Sequence, residues 1–382
     1  MRLLFTFAGG AGHAEPLVPI ATAARAAGHA VAFAGRPYVV ARLAARGFTV
    51  FPDADDPVEQ PSAMTPLLEY DQEREERAMR EGFARFHGRR RAGVVLELCA
   101  EWRPDVIVCD EVDFGAMIAA ERAGVPHATV LVIAAGSLIR PAVVGAPLDH
   151  VRAEHGLPPD PDLAMPARHL VLSPTPPSLR DPAVPLPRTA HSIRPGSLEP
   201  AEAPAWVASL SGPIVYFTLG TIFDMESGDL IARGLAGLRE LPVDVIATMS
   251  ANIDPGPQPP NVRIETHVAH AALFPHCAAV VSHGGSGTVV DALAAGLPQV
   301  VLPMGADQPL NAARVEALGA GIVLDVLRAT PAEIGAAVRT VLEEPAYRAA
   351  AERVRDEARA LPGPDHAVAL LERLSAGSGA GG

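Results

Sequence analysis

The stretch Ser282 to Asn311, S-H-G-G-S-G-T-V-V-D-A-L-A-A-G-L-P-Q-V-V-L-P-M-G-A-D-Q-P-L-N, gathers side chains that could hold first an anion and then hydroxyl groups. His283 offers a ring N–H, and Ser286 and Thr288 offer hydroxyls. Gly285 and Gly287 let a ligand come close to the backbone. Asp307, Gln308 and Asn311 follow, and a carboxylate with two amides suits the hydroxyls of a sugar. One phosphate cradle followed by one sugar-hydroxyl cluster points to a nucleotide-sugar. In the first half, His13 closes the turn G-G-A-G-H. A histidine there could act as general base, since its ordinary pKa lies near neutrality. By position alone a turn or capping histidine is the better fit.

These residues need elements to hold them. Ala278 to Ser282 is an apolar run of strand length, and Thr288 to Ala295 reads as a helix ended by Gly296, with Pro298 just beyond. A strand, a glycine turn and a helix N-terminus form an anion site, because the first amides lack internal partners and the helix dipole favours negative charge. The next strand is Gln299 to Pro303. In the first half, strands are expected at Leu3–Ala8, Ala30–Ala34, Phe48–Phe51, Val106–Cys109, Ala128–Ile133 and, last, Leu170–Leu172, with a helix over Pro16–Ala27. Pro174 to Pro204 is proline-rich and reads as a linker. Strands resume at Ile214–Leu219, Val243–Thr248 and Val262–Glu265, and continue to Ile322–Asp325. Strands alternating with helices imply parallel βαβ units. The fold class is therefore α/β, with two doubly wound Rossmann-like domains: residues 1–205, residues 206–361, and a last helix and flexible tail over 362–382.

Composition excludes several classes. A length of 382 residues with 49% hydrophobic residues can supply two cores, and a formal net charge of −13 argues against a nucleic-acid partner. The chain contains no lysine, which rules out a P-loop lysine and a lysine Schiff base. Cys99, Cys109 and Cys277 have no metal spacing, and the latter two are expected to be buried thiols. The D-x-D patterns in Asp53–Asp56 and Asp160–Asp162 read as solvated turns and not as metal sites. Glu69 to Arg91 reads as an exposed helix with i,i+4 pairs, with Arg89 to Arg91 on a solvated face. The opening turn is not a dinucleotide fingerprint, because Glu15 stands where the third glycine belongs. Met1 to Ala8 runs directly into a strand, and no apolar run reaches membrane-spanning length, so a cytoplasmic location is expected.

The motifs H-G-G-S-G-T, A-L-A-A-G-L-P-Q, L-P-M-G-A-D-Q-P-L-N-A and H-V-A-H-A-A-L-F-P-H-C resemble the donor-binding region of GT-B glycosyltransferases. The likeness is to bacterial enzymes that attach deoxysugars to polyketide, enediyne, macrolide or glycopeptide aglycones. It implies two domains facing across a cleft, with the last helix crossing back to the first. It also implies inverting transfer from a nucleoside diphosphate sugar, TDP-linked before UDP-linked, to an aglycone hydroxyl. The sugar nucleotide is then a substrate, with no cofactor and no metal. The partners are two small molecules, and a homodimer is left open.

The same resemblance makes His13 the base and Asp110 its orienting carboxylate. Asp110 could instead cap a helix, and Glu111 and Asp113 compete for its role. Thr221, His283, Gly285, Ser286, Gly287 and Thr288 would bind the donor phosphates. Val268 and Asp291 would meet the nucleoside, and Asp307, Gln308 and Asn311 the sugar. The family usually follows Val268 with proline and glutamine, where this chain has Ala269 and His270. Two other readings keep the fold: a nucleotide-sugar epimerase, and a non-catalytic helper of a partner transferase.

Overall fold

The computed structural model describes residues 1–53, 64–136, 138–198, 201–220 and 223–378. The first sheet is built from β1 (Arg2–Thr6), β2 (Ala30–Gly35), β3 (Thr49–Pro52), β4 (Val106–Asp110), β5 (His127–Val130), β6 (Leu170–Ser173) and β7 (Ala190–Ser192). Its order is β3-β2-β1-β4-β5-β6-β7. The second sheet is built from β8 (Ile214–Thr218), β9 (Asp244–Thr248), β10 (Val262–Glu265), β11 (Cys277–Ser282), β12 (Gln299–Val301) and β13 (Gly321–Val323), in the order β10-β9-β8-β11-β12-β13. Every pairing in both sheets is parallel.

Parallel sheets are covered on both faces, so their strands read as near-continuous apolar runs. Side-chain alternation sorts those runs into layers. Leu3 and Phe5 of β1 join Val31 and Phe33 on one face, and Leu4 joins Ala32, Ala34 and Ile107 on the other. Val215 and Phe217 of β8 likewise oppose Ile214 and Tyr216. The last helix, Pro364–Ser378, places Ala367, Val368, Leu370 and Leu371 in the first domain's core beside Leu17 and Ile20. That helix crosses back to the first domain, as its family resemblance implies.

Several elements differ from the sequence reading. The proline-rich stretch contains a seventh strand, β7, paired with β6 through Val171↔Ala190. It is short, lies at the sheet edge and has no apolar alternation to betray it. The helix expected over Pro16–Ala27 begins earlier and is broken into Ala11–Ala14, a 3-10 turn Glu15–Leu17 and the helix Val18–Ala26. Pro16 and Pro19 have no N–H to donate, which interrupts the regular ladder. His13 therefore sits in a first helical turn. The long charged helix is real, running Gln72–Arg77, a π-helical stretch Ala78–His87, and Gly88–Glu101. It is not wholly exposed: Met79, Ala84 and Arg91 are buried. Helix Ser286–Ala294 starts two residues before its expected start.

Both sheets have a topological switch point, where the chain leaves to opposite sides: β1 pairs with β2 and β4, and β8 with β9 and β11. Ligands of open α/β sheets bind at that crevice. His13 follows β1 and Asp110 ends β4, while Gly220 follows β8 and His283 follows β11. The two switch points meet. The loop after β5 donates Ala134 N–H to Ser286 Oγ at 2.7 Å and Ala135 N–H to Asn311 Oδ1 at 3.2 Å. The chain before the charged helix also crosses over, with Thr65 N–H donating to the Met225 carbonyl at 2.7 Å.

Candidate active site

On the first domain, His13 Nδ1 lies 3.1 Å from Asp110 Oδ2. The histidine side chain is 26% exposed and the aspartate is fully buried. Asp110 also accepts from Ala8 N–H at 3.0 Å and from Val112 N–H at 2.7 Å. These bonds fix the carboxylate, and the carboxylate fixes the ring. Gly9 is needed for this arrangement, since a Cβ there would lie 2.0 Å from His13 Cδ2. Phe83, from the π-helical stretch, stacks on the imidazole at 5.9 Å between centroids and 21°. Insertions of this kind are frequent at functional sites.

Burial alone would lower the pKa of His13. The charge and hydrogen bond of Asp110 outweigh it, with Asp307 and Glu111 adding through space, and the pKa lies above its ordinary value. Asp307 belongs to the second domain, so its field on His13 links the two halves of the site.

The alternatives for Asp110 resolve by geometry. The helix Phe114–Ala123 is capped by Asp113, which accepts from Ala116 N–H at 3.2 Å. Asp113 also takes both forks of Arg91 at 2.8 Å, and Arg91 reaches Asp53 Oδ2 at 2.6 Å. This arginine is buried, which corrects its assignment to a solvated face, and Asp53 is likewise a buried ion-pair partner and not a solvated turn residue. Asp55 and Asp56, the rest of that acidic pattern, lie outside the described residues. Asp160 is also buried, accepting from Ala164 and Met165 N–H, while Arg89 pairs at the surface with Glu154. Glu111 accepts from Val132 and Ile133 N–H at 2.5 Å, and burial pushes its carboxyl up to about 7.

On the second domain, the helix Ser286–Ala294 opens from Gly285 with no side chain capping it. Its first amides are free to meet an anion. His283 is buried beside this end, its ring between Gly220 and Gly285, where added Cβ atoms would lie 2.7 and 2.5 Å from Nε2. Its Nδ1 is buried without a partner among the described residues. Burial pushes its pKa down to about 4, so it can offer an N–H dipole but no positive charge at neutral pH. Thr288 is buried in the helix's first turn, and Gly287 faces open space. Thr221 lies outside the described residues.

The residues expected to meet the sugar divide into two kinds. Asp307 is partly exposed, with Oδ2 accepting from Ser286 Oγ at 2.5 Å and from Asn311 Nδ2 at 2.8 Å. Asn311 is fully buried; it also donates to the Gly284 carbonyl at 2.9 Å and to Ser286 Oγ at 3.0 Å, and it accepts from Ala135. Asn311 and the Ser286 hydroxyl thus brace Asp307 and the first domain's loop. In this arrangement Ser286 offers an anion its backbone amide. Gln308 is buried, and its Oε1 accepts from Met304 and Gly305 N–H. Ala306, just before Asp307, has φ +51°, a left-handed conformation costly for a residue with a Cβ. Val268 is buried in the cluster of Tyr216, Leu273 and Phe274. Asp291 Oδ2 lies 2.7 Å from His270 Nδ1.

Among the described residues, no three or more His, Cys, Asp or Glu side chains are arranged to hold a metal ion, and no helix is long and apolar enough to cross a membrane. Cys109 and Cys277 are buried free thiols.

Two parallel-sheet domains whose switch points meet are the GT-B architecture of glycosyltransferases. Residues 22–181 match the N-terminal domain, and residues 232–374 the C-terminal domain, of the Erythromycin biosynthesis protein CIII-like family. The 3-alpha-mycarosylerythronolide B desosaminyl transferase of Saccharopolyspora erythraea is 30% identical and aligned over 99% of both chains. The 4'-demethylrebeccamycin synthase of Lentzea aerocolonigenes is 33% identical over 73% of this chain and 76% of its own. Among solved structures, glycosyltransferase VinC in complex with dTDP matches with a TM-score of 0.77 and 28% identity, over 98% of this chain and 99% of that one. The chain belongs to this family of glycosyltransferases, which attach deoxysugars in natural-product biosynthesis.

Proposed function

We propose that this chain transfers a deoxysugar from a TDP-linked donor to a hydroxyl of a natural-product aglycone, inverting the anomeric carbon. The observation that carries the reading is the His13–Asp110 pair at one switch point, within the electrostatic reach of Asp307 beside the anion cradle of the other. Residues 1–205 hold the acceptor and residues 206–361 the donor. His13 Nε2 takes the acceptor proton. Asp110 holds Nδ1–H and stabilises the imidazolium that forms. The acceptor oxygen attacks the anomeric carbon on the face opposite the diphosphate. Charge grows on the departing diphosphate, where helix amides, the neutral His283 N–H and the Thr288 hydroxyl would meet it; the family resemblance adds Thr221, which lies outside the described residues. The Ala134–Ala135 loop is tied to Ser286 and Asn311, and closure of the two domains there would keep water from competing for the donor. Mass spectrometry of reactions with TDP-deoxysugars and a panel of aglycones tests the activity, and the anomeric proton coupling of the product tests inversion. Retention of configuration would remove the single-displacement mechanism.

Two expectations follow for the donor. TDP should raise the melting temperature with EDTA present, by an amount set by RT ln(1 + [L]/Kd). A shift that appears only with manganese would mean that amides and dipole alone do not hold the diphosphate. Asp307→Ala should weaken the intact TDP-sugar roughly tenfold or more and leave bare TDP nearly unchanged, since a charged group's hydrogen bond to a hydroxyl is lost only with the sugar present. Calorimetric titration of both ligands decides it; equal losses would take Asp307 out of the sugar site.

A further inference from the structure

His270, one of the two departures from the family pattern, and Asp291, an expected nucleoside contact, are one unit. They lie 21 positions apart in sequence, yet His270 Nδ1 and Asp291 Oδ2 are 2.7 Å apart, with side chains 22% and 24% exposed. The imidazole cannot drift. It stacks on Phe274 at 4.3 Å and 12°, and meets Tyr216 edge-on at 5.5 Å and 77°. Tyr216 is itself buried and tied to Thr248 Oγ1.

The pair lies along the helix whose N-terminus forms the candidate anion cradle. Asp291 is four residues after Gly287, so the two share a face of the helix Ser286–Ala294. Gly287 opens that face, since a side chain there would meet nothing within 4 Å. Asp291 lies five residues beyond Ser286, about 7.5 Å along the helix axis. A diphosphate at the helix N-terminus with its nucleoside laid along this face brings the ribose hydroxyls to Asp291.

We infer that His270 sets the donor's sugar-ring preference by occupying one of the two oxygens of Asp291, so that the site serves a single ribose hydroxyl and selects a 2′-deoxyribonucleoside diphosphate. A carboxylate with both oxygens available can accept from the 2′- and 3′-hydroxyls together. Oδ2 already accepts from His270 Nδ1–H, whereas Oδ1 has no partner among the described residues, so Oδ1 is the oxygen with both lone pairs open to a ribose hydroxyl. It can take the 3′-hydroxyl. A 2′-hydroxyl would then lie without an acceptor beside His270 and the Phe274 and Tyr216 rings, and a desolvated, unpaired hydroxyl disfavours binding.

The inference rests on the donor reading above and is tested with dUDP and UDP, which share a base and differ only at the 2′ position. Calorimetric titration of the wild-type protein should show dUDP binding roughly tenfold tighter. In His270→Ala the carboxylate is freed, and the ratio should fall to about threefold or less, chiefly through tighter UDP binding. His270→Asn, whose amide N–H can stand where Nδ1–H stood, should keep most of the preference. Equal binding of the two nucleotides by wild type, or an unchanged ratio in His270→Ala, would overturn the inference. So would loss of both nucleotides by a folded His270→Ala protein, because His270 would then hold the donor without selecting it. Failure of wild type to bind either nucleotide is a different result: it removes the donor site itself.

Discussion

His13→Ala should lower turnover by roughly two to four orders of magnitude while the protein stays folded and binds TDP as before. The side chain is partly exposed and lies on the opposite domain from the phosphate cradle, so neither the core nor donor affinity depends on it. Asp110→Asn should also be slow, for a reason the geometry specifies. The amide keeps one oxygen. Directed at Ala8 N–H and His13, that oxygen preserves the ring's hydrogen bond and leaves an NH2 against Val112 N–H. The bond survives but the charge that stabilises an imidazolium is gone. The double variant should be little slower than His13→Ala, because the two residues act as a unit. Multiplied losses would mean that Asp110 works independently of His13.

The same pair predicts a pH profile. The base must be neutral to accept a proton, so kcat/KM should rise with pH through the pKa of His13 in the free enzyme. That pKa lies above 6.5, because Asp110, and more weakly Asp307 and Glu111, outweigh burial. The acid limb of the wild-type profile should therefore lie above 6.5. In Asp110→Asn, burial still acts while the main opposing charge is absent, and the limb should move to lower pH. The stability linkage has its own sign: a raised histidine pKa stabilises the fold below the unfolded value near 6.5, and that contribution is lost as pH rises through the folded value. A limb that stays in place in Asp110→Asn would separate the titrating group from this pair.

Much of the architecture is legible in the sequence because strands buried on two faces announce themselves. Val262–Glu265 is bounded correctly by its apolar run, and the other expected strands of both sheets fall within about three residues of their observed ends. The failures share one physical cause, which is that their partners are remote in sequence. β7 is held by backbone pairing with β6 and has no pattern of its own. Phe83 looks like one apolar residue in a charged helix, and only the folded chain sets it against His13. Ser286 and Asn311 read from sequence as ligand contacts, but their side chains serve the contact between domains, which no local motif records. His270 and Asp291 look like two unrelated oddities until the fold brings their side chains together.

Arg91 shows the same effect with the largest energetic consequence. The run Arg89-Arg90-Arg91 on a charged helix looks like a solvated face, because the acidic partners of Arg91, Asp53 and Asp113, are 38 and 22 residues away. In the fold Arg91 is buried, forked onto Asp113 and bonded to Asp53, and burial is outweighed by these carboxylates so that its pKa is raised further. Gly115 lets the two helices close over it, since a Cβ there would lie 2.6 Å from the Gly88 carbonyl and 2.7 Å from Arg91 Cβ. Arg91→Met fills a similar volume but strands two buried carboxylates. The expected cost is about 3–5 kcal/mol, the usual loss when one partner of a buried pair is removed. For a domain of this size that lowers the melting temperature by roughly 10 °C. The deficit should also depend on pH. Burial already holds the Asp113 carboxyl above its ordinary value, against the pull of Arg91. Without the guanidinium it rises further above the unfolded value near 3.9, so the native state of the variant binds the extra proton. Stability of the variant should then improve as pH falls from neutrality toward about 4, relative to wild type. Arg91→Lys keeps the charge but not the fork, and should lose an intermediate amount. A loss under about 1 kcal/mol in Arg91→Met, with no pH dependence, would mean that water reaches these carboxylates and that the ion pair does not organise the floor beneath Asp110.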